Sequence, residues 1–539
     1  MRKTKPEIRA VFIVITIIFA LFLLLPMCFV LGRSFMTDGG GVGFGQYVRM
    51  LSSDGFLRCV GRSFLVAGVS GAITVMLAFI LAYTVNNTNI PMWMKKAISA
   101  AAVFPMLLPT ITYGFAIIYS FGKEGLITRL LGGSFHIYGF HGLVLGYVIY
   151  TLPIAFLLLN NTFKYIDKKF VVVSRVMGDN KMSTFLTTCI RPMLGTLGAA
   201  FIQSFFLSFT DFGIPAAIGG EFKVVATVLY NEMLGAVPNF SNGAVVAMVM
   251  LVPSVLSILL LNYLERYNFR YQVTSIVETE KGLGRDLFMG GLSSLILLSI
   301  LSVFAVIVII PFVDMWPYKI TFTLSHIKGL FTDQSMLGIY LNSLLAAVLT
   351  ALFGTLIAYG AALVTSRSKI SGTCKRIIES IALVINTIPG MVLGIAFMLA
   401  FSATPLRNTF FLIVICNIIH FFSTPYLMMK NSLSKMNESW ETTAMLMGDS
   451  WVKTIVRVVT PNAGYTIMEV LGYYFVNAMV TISAIIFIVG AHTMVITAKI
   501  KELQHYAKFD DIFALSLLLL VTNLSAKGLC SLLKKRKKK

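Results

Sequence analysis

Residues 11–31 read Val11-Phe-Ile-Val-Ile-Thr-Ile-Ile-Phe-Ala-Leu-Phe-Leu-Leu-Leu-Pro-Met-Cys-Phe-Val-Leu31, with no charge anywhere in the run. A bilayer-spanning helix needs about 20 apolar residues, and this stretch supplies them. Backbone groups in hydrocarbon find no water, so they must bond within their own segment, which selects helix over open strand. Ser63–Val85 and Leu287–Pro311 are further uncharged runs of the same kind. Ala10–Leu31 is longer than the apolar core of a secretory leader and lacks a small-residue cleavage site, so it reads as the first span.

Composition points the same way. The 539 residues are 57% hydrophobic and 12% charged, with a mean hydropathy of +0.84. Soluble domains carry about 25% charged residues, so roughly half the usual charge is missing. The reading is an all-α polytopic membrane protein with spans at Ala10–Leu31, Ser63–Val85, Ala97–Ser120, Gly142–Asn160, Leu194–Ile218, Gly243–Tyr263, Leu287–Val313, Gly338–Thr365, Ile378–Phe401, Thr409–Met429, Ala463–Gly490 and Ile512–Leu532.

The net charge of +21 invites a nucleic-acid reading, but the distribution of charge rejects it. With the N-terminus in the cytoplasm, only 13 of the 44 Lys and Arg residues fall in outward segments. That is the bias expected of an inside N-terminus. Lys534–Lys539, basic throughout, suits the anionic lipid of the inner leaflet. The six cysteines are scattered without a C-x-x-C pair, which argues against a disulfide framework or a metal site.

The chain also repeats itself. At an offset of 280 residues, Arg62-Ser63-Phe64-Leu65 lies over Asn342-Ser343-Leu344-Leu345, Pro109 over Pro389, Gly114 over Gly394 and Ala116 over Ala396. At 270, Asn161 lies over Asn431, and Met177-Gly178-Asp179 over Met447-Gly448-Asp449. These matches keep order and membrane depth, as a duplication requires. Both halves start inside with an even number of spans, so they form two parallel six-helix repeats about an axis along the membrane normal.

Between the fourth and fifth spans of each half lies an inward loop of about thirty residues, long for a helix–helix connection. The second reads Glu438-Ser-Trp-Glu-Thr-Thr-Ala-Met-Leu-Met-Gly448-Asp-Ser and continues to Thr460-Pro461. The first reads Val171-Val-Val-Ser-Arg-Val-Met-Gly178-Asp-Asn and continues to Arg191-Pro192. Each predicts a short helix, a Gly-Asp turn and a second helix. Such a hairpin on the inner membrane face suits docking into a groove on a cytoplasmic partner.

The pattern resembles the E-A-A-x-x-x-G motif of permease subunits of binding-protein-dependent ABC importers, followed about thirteen residues later by Leu-Pro. Gly448 to Pro461 has that spacing, with Glu441 one place early and Thr442-Thr443-Ala444 at E-A-A. In the first half Val172-Val173-Ser174 replaces E-A-A and Pro192 falls one residue late, so that copy is degenerate. The resemblance implies the type I importer permease fold, with 1–263 and 287–539 as first and second transmembrane permease domains and 264–286 as a cytoplasmic linker. It implies two copies of a separate ABC ATPase, docked through Met177, Gly178, Asp179, Pro192, Glu441, Ala444, Met447, Gly448, Asp449 and Pro461. It also implies an extracytoplasmic solute-binding protein and a bacterial inner-membrane location with both termini cytoplasmic. No G-x-x-x-x-G-K-[ST] loop is present, so ATP would be bound by the partner subunits and the chain needs no cofactor.

Asp211, in Ser208-Phe-Thr-Asp-Phe-Gly-Ile-Pro-Ala-Ala-Ile-Gly219, is costly within a span, and Gly213 and Pro215 interrupt the helix around it. The matching stretch is Thr481-Ile-Ser-Ala-Ile-Ile-Phe-Ile-Val-Gly490. Broken helices expose backbone to a solute at mid-membrane, which nominates Ser208, Thr210, Asp211, Gly213, Thr481 and Ser483 for the substrate pathway. A buried carboxylate needs partners, and Ser208, Thr210 or a facing hydroxyl are the candidates. Pro109, Asn386 and Pro389 are candidate kink positions, and His420 reads as a packed residue. The two stretches resemble the permease branch that serves ferric iron or 2-aminoethylphosphonate, and the residues do not separate the two. A secondary transporter with 6+6 helices is the rival reading; it would need coupling carboxylates, for which Asp211 and Glu469 are thin support. An embedded enzyme has no motif to stand on.

Overall fold

The computed structural model describes residues 6–37, 41–133, 135–167, 169–264, 282–368, 370–437 and 439–538. Most of the linker expected at 264–286 and Glu438 lie outside the described residues. Eight described helices of 22 to 34 residues are apolar enough to cross a bilayer, from Pro6–Ser34 to Phe509–Leu533. Three bent helix pairs and the seventeen-residue helix Gly464–Val480 account for the other four expected spans.

Two of those bent pairs sit at equivalent places. Met92–Leu107 meets Thr110–Leu131 at 108°, and Gly372–Ile385 meets Gly390–Phe401 at 106°. The breaks fall at Pro109 and Pro389, each an N-cap in extended conformation (φ −64°, ψ 144° and φ −58°, ψ 142°). Proline has no amide to continue the ladder and disfavours helix in the residue before it, so these are breaks rather than the kinks expected. The tenth span breaks by 57° between Phe410–His420 and Ser423–Ser434.

The eleventh span is shorter than read. Its helix ends at Val480, and 481–490 runs as turns. The segment is rich in β-branched residues (Thr481, Ile482, Ile485, Ile486, Ile488, Val489), which lose rotamer freedom in a helix. The first repeat instead restarts a helix at Gly213–Ile218, capped by Asp211.

The chain forms two compact units. One comprises Leu51–Tyr230 and Val252–Leu324. Its centre is the second span, Asp54–Asn87, against the fourth, Phe140–Phe163, where the Thr74 and Thr151 hydroxyls bond at 2.9 Å. The seventh span joins this unit, its Ser293 hydroxyl donating to Thr84 Oγ1 at 2.7 Å and its Phe304 ring meeting Phe104 and Tyr113 edge-on.

The other unit comprises Met1–Met50, Asn231–Leu251 and Ser325–Lys539. The first span packs here, with Phe19 4.6 Å from Phe422 and Phe22 stacked on Phe401. The opening span of each sequence half therefore packs with the other half's helices. The duplication persists in hydrogen bonds: Ser63 Oγ accepts from the Val225 amide at 2.9 Å, and Ser343 Oγ from the Ile496 amide at 2.8 Å. A two-stranded antiparallel hairpin, Val313–Met315 with Lys319–Phe322, follows the seventh span; nothing in the hydropathy pattern announced it.

Candidate functional site

The two loop hairpins are built alike. The first runs through helix Lys169–Val176, Gly178 at φ +85°, helix Lys181–Phe185 and a π-turn at Leu186–Ile190. The second runs through Ser439–Leu446, Gly448 at φ +83°, Trp451–Thr454 and a π-turn at Ile455–Val459. Left-handed backbone is cheap only for glycine, which closes each first helix. The Asp179 amide donates to Ser174 O at 3.1 Å and the Asp449 amide to Ala444 O at 2.9 Å, the six-to-one bond of a Schellman cap. Asn180 and Ser450 then cap the next helices by accepting from the Ser183 and Lys453 amides. Pro192 and Pro461 sit in the first turn of the helices that follow, where a missing amide costs nothing.

The tips are apolar and bare. Val176 and Met177 are 83% and 79% exposed, Leu446 and Met447 85% and 80%. Sequence reading chose both methionines but missed Val176 and Leu446, whose signal was an apolar residue one place before the motif. An exposed apolar pair on a rigid turn is suited to a hydrophobic groove.

Below the tips the copies diverge. Ser174 donates to Asp179 Oδ2 at 2.5 Å and bonds Thr184 at 3.0 Å, so a hydroxyl and a carboxylate knit the first hairpin. In the second, Ala444 is buried and Asp449 pairs with Lys453. Glu441 is gripped by Arg367, whose Nε and Nη2 donate to its two oxygens at 2.6 and 2.5 Å. The Arg367 side chain is 1% exposed and also donates to Met436 O and Asn437 O. Arg367 is the C-cap of the eighth span, Gln334–Ser366, so the second hairpin is fastened to that span. The equivalents in the first repeat are Asn87 and Val171, which cannot form such a pair. Sequence reading missed Arg367, 74 residues from its partner.

The substrate-pathway candidates divide between the units. In the first, Asp211 ends the helix Arg191–Thr210 and caps the next, its Oδ2 accepting from the Ile214 amide at 2.9 Å. The Gly213 amide and the Thr110 hydroxyl also bond it. Of the candidates Ser208, Thr210 or a facing hydroxyl, the partner is the facing hydroxyl, that of Thr110. Thr210 Oγ1 turns back along the helix and donates to Phe206 O at 2.9 Å, and the buried Ser208 hydroxyl bonds no described residue. Gly213 lies so close to Thr110 that a Cβ there would fall 2.2 Å from Thr110 Oγ1.

In the second unit, Thr481 is buried and its carbonyl accepts from Thr497 Oγ1 at 2.8 Å. Ser483 lies beside Gly390, where a Cβ would fall 2.5 Å from Ser483 Oγ and 3.0 Å from the His420 ring. The bond-sparing small residue has changed sides between repeats: Thr110 with Gly213 in one, Gly390 with Ser483 in the other. Among the described residues no three His, Cys, Asp or Glu side chains are grouped to hold a metal ion.

Residues 354–539 match the family described as binding-protein-dependent transport system inner membrane component. The chain is 26% identical over 512 residues to the ferric transport system permease protein FbpB of Actinobacillus pleuropneumoniae, covering 90% of this chain and 73% of that one. It is 26% identical over 487 residues to the putative ferric transport system permease protein FbpB 1 of Haemophilus influenzae, covering 86% and 75%. A bacterial alginate ABC transporter, solved in complex with an alginate pentasaccharide-bound periplasmic protein, superposes with a TM-score of 0.40 at 14% identity over 50% of this chain and 96% of that one. The family match thus falls on the second half, while the likeness to the two FbpB proteins extends over nearly the whole of a chain whose described residues include eight helices long and apolar enough to cross a membrane.

Proposed function

We propose that this permease passes a small solute, ferric iron in the first instance, from an extracytoplasmic binding protein to the cytoplasm. Two copies of a separate ATPase subunit drive it, each receiving one loop hairpin. The observation that carries this reading is the pair of Schellman-capped hairpins with bare apolar tips at Val176-Met177 and Leu446-Met447. They recur at one place in two repeats, as two equivalent ATPases require. The domains 1–263 and 287–539 are the units of duplication, and the excess of inward Lys and Arg sets both termini in the cytoplasm.

The names of the two ferric relatives, which between them match nearly the whole chain, favour iron over 2-aminoethylphosphonate. Asp211, Thr110, Thr481 and Ser483 flank the helix breaks where a solute would meet exposed backbone, and the binding protein selects the solute. Arg367 and Glu441 make the second hairpin the stiffer lever, so the two ATPase strokes reach the spans unequally.

The test is uptake of radiolabelled Fe(III) into proteoliposomes containing the permease, its ATPase and its binding protein. Uptake should require internal or external ATP on the ATPase side and vanish without the binding protein. Uptake driven by a proton gradient with both partners absent would replace this reading with a secondary transporter.

A further inference from the structure

We propose that the hairpin Val313–Phe322 is a bilayer anchor, laying Tyr318, Ile320 and Phe322 on the boundary between lipid headgroups and hydrocarbon at the far end of the seventh span.

The hairpin is held rigidly from one side. The Trp316 indole N–H donates to Glu124 O at 3.1 Å, and the Arg129 guanidinium sits 5.5 Å from the centre of the Trp316 ring. Arg129 also donates to Pro317 O at 3.3 Å while it pairs with Glu124 at 2.7 Å. Phe312 and Phe322 stack at 5.9 Å with planes 6° apart. The strands therefore do not hang loosely in water.

What the hairpin shows outward is apolar. Met315 is 56% exposed, Tyr318 84%, Ile320 61% and Phe322 76%. Alternation along the second strand puts Ile320 and Phe322 on one face and Lys319 and Thr321 on the other. Its charges, Asp314 and Lys319, pair with each other at 2.5 Å. An ordered apolar face without free charge needs a cover.

Position selects the cover. The seventh-span helix Leu283–Phe312 has 30 residues, a length of about 45 Å, against about 30 Å of hydrocarbon; its end therefore lies in the interfacial zone. The exposed apolar residues of that helix, Leu287, Phe288, Leu295, Leu298, Val308 and Ile309, lead to Phe312 and so to Phe322. Lipid already covers that stripe, and the hairpin extends it. Tyr and Trp concentrate at this depth because their rings are apolar and their polar atoms stay wet. A soluble partner would meet a face on which the Tyr318 hydroxyl is the one polar side-chain group to orient it, among the described residues. The inference holds for either leaflet and for any solute, so it stands apart from the proposed transport.

The full chain, reconstituted in phosphatidylcholine nanodiscs, would carry a fluorescent amino acid at Ile320, Phe322 or Thr321 in turn. All three positions are exposed, and the fluorophore is aromatic so that the stack on Phe312 is kept at position 322. With a nitroxide on the fifth acyl carbon of the lipid, quenching at 320 and 322 should exceed that at 321 at least threefold, and aqueous iodide should reverse the order. Equal nitroxide quenching at the three sites would overturn the proposal. So would iodide quenching at 320 and 322 as strong as at 321, which would leave the face to water or a soluble partner.

Discussion

Asp211 and Thr481, 270 residues apart, hold the same backbone angles, φ −71° and ψ 138°. Each is the C-cap of a fifth-span helix, with its amide bonded four residues back, to Leu207 O at 3.1 Å and Asn477 O at 3.0 Å. The side chains then part company. A carboxylate caps a new helix in one repeat, while in the other the chain continues in turns. Equal backbone with unequal chemistry makes Asp211 a good place to separate structure from function.

Asp211→Asn keeps an oxygen for the Ile214 amide but loses the charge. If the charge serves a gate or a cationic solute, uptake should fall severalfold with membrane abundance near normal. Asp211→Leu removes the cap, which typically costs about 0.5–2 kcal/mol, and should chiefly lower folded protein. Uptake and abundance measured together distinguish the two; full uptake by the Asn variant would restrict Asp211 to helix capping.

Gly448 at φ +83° has open space where a Cβ would go, so backbone strain alone opposes substitution. Gly448→Ala should cost about 1–2 kcal/mol locally, reducing ATPase stimulation. Gly448→Trp should abolish transport while the protein remains inserted. The same pair of changes at Gly178 should do less, because Ser174 and Asp179 brace that hairpin independently. Copurification with the ATPase and uptake are the readouts.

Arg367→Met leaves Glu441 partly buried without its partner. Breaking such a pair typically costs about 3–5 kcal/mol, so the melting temperature should fall by several degrees. Glu441→Gln keeps one acceptor for the guanidinium and should fall less. Arg367→Lys should not rescue, since an ammonium cannot match both oxygens at once. If the tie transmits the second hairpin's movement, Glu441→Gln should uncouple ATP hydrolysis from uptake at a temperature where the protein is fully folded.

Gly390→Ala drives a methyl to within 2.5 Å of Ser483 Oγ, so folded yield should drop at least twofold. Adding Ser483→Gly clears that contact, and the next nearest atoms, in the His420 ring 3.0 Å away, must then adjust. The double variant should recover most of the yield. Equal yields for the single and double variants would show that Ser483 does not set the space there.

Hydropathy exposed the spans, and the repeat exposed the pairing of hairpins, because both depend on residue type along one helix. Gly178 and Gly448 were legible for the same reason: a glycine followed by Asp between helical stretches has a local cause. The breaks at Pro109 and Pro389 were visible as positions but not as angles above 100°, which depend on where the following helix packs. The end of the eleventh span at Val480 was missed because an apolar run reads alike as helix or as turns. Asp211 was found, but its partners Thr110 and Ile214 were not, since one lies a hundred residues away and the other is a backbone amide. Arg367 and the strands at 313–322 were beyond sequence periodicity for the same physical reason: tertiary contact makes them.

The exchange of glycine and hydroxyl between Thr110–Gly213 and Gly390–Ser483 has an evolutionary consequence. In a permease made of two identical subunits, any change to this slot would strike both copies at once, and a glycine could not migrate across it without passing through a doubled clash or a doubled void. Fusion into one polypeptide makes each slot separately heritable, so the chain can drift by compensated pairs. Substitution patterns at these four positions should then be scored as two couples, not as four independent sites.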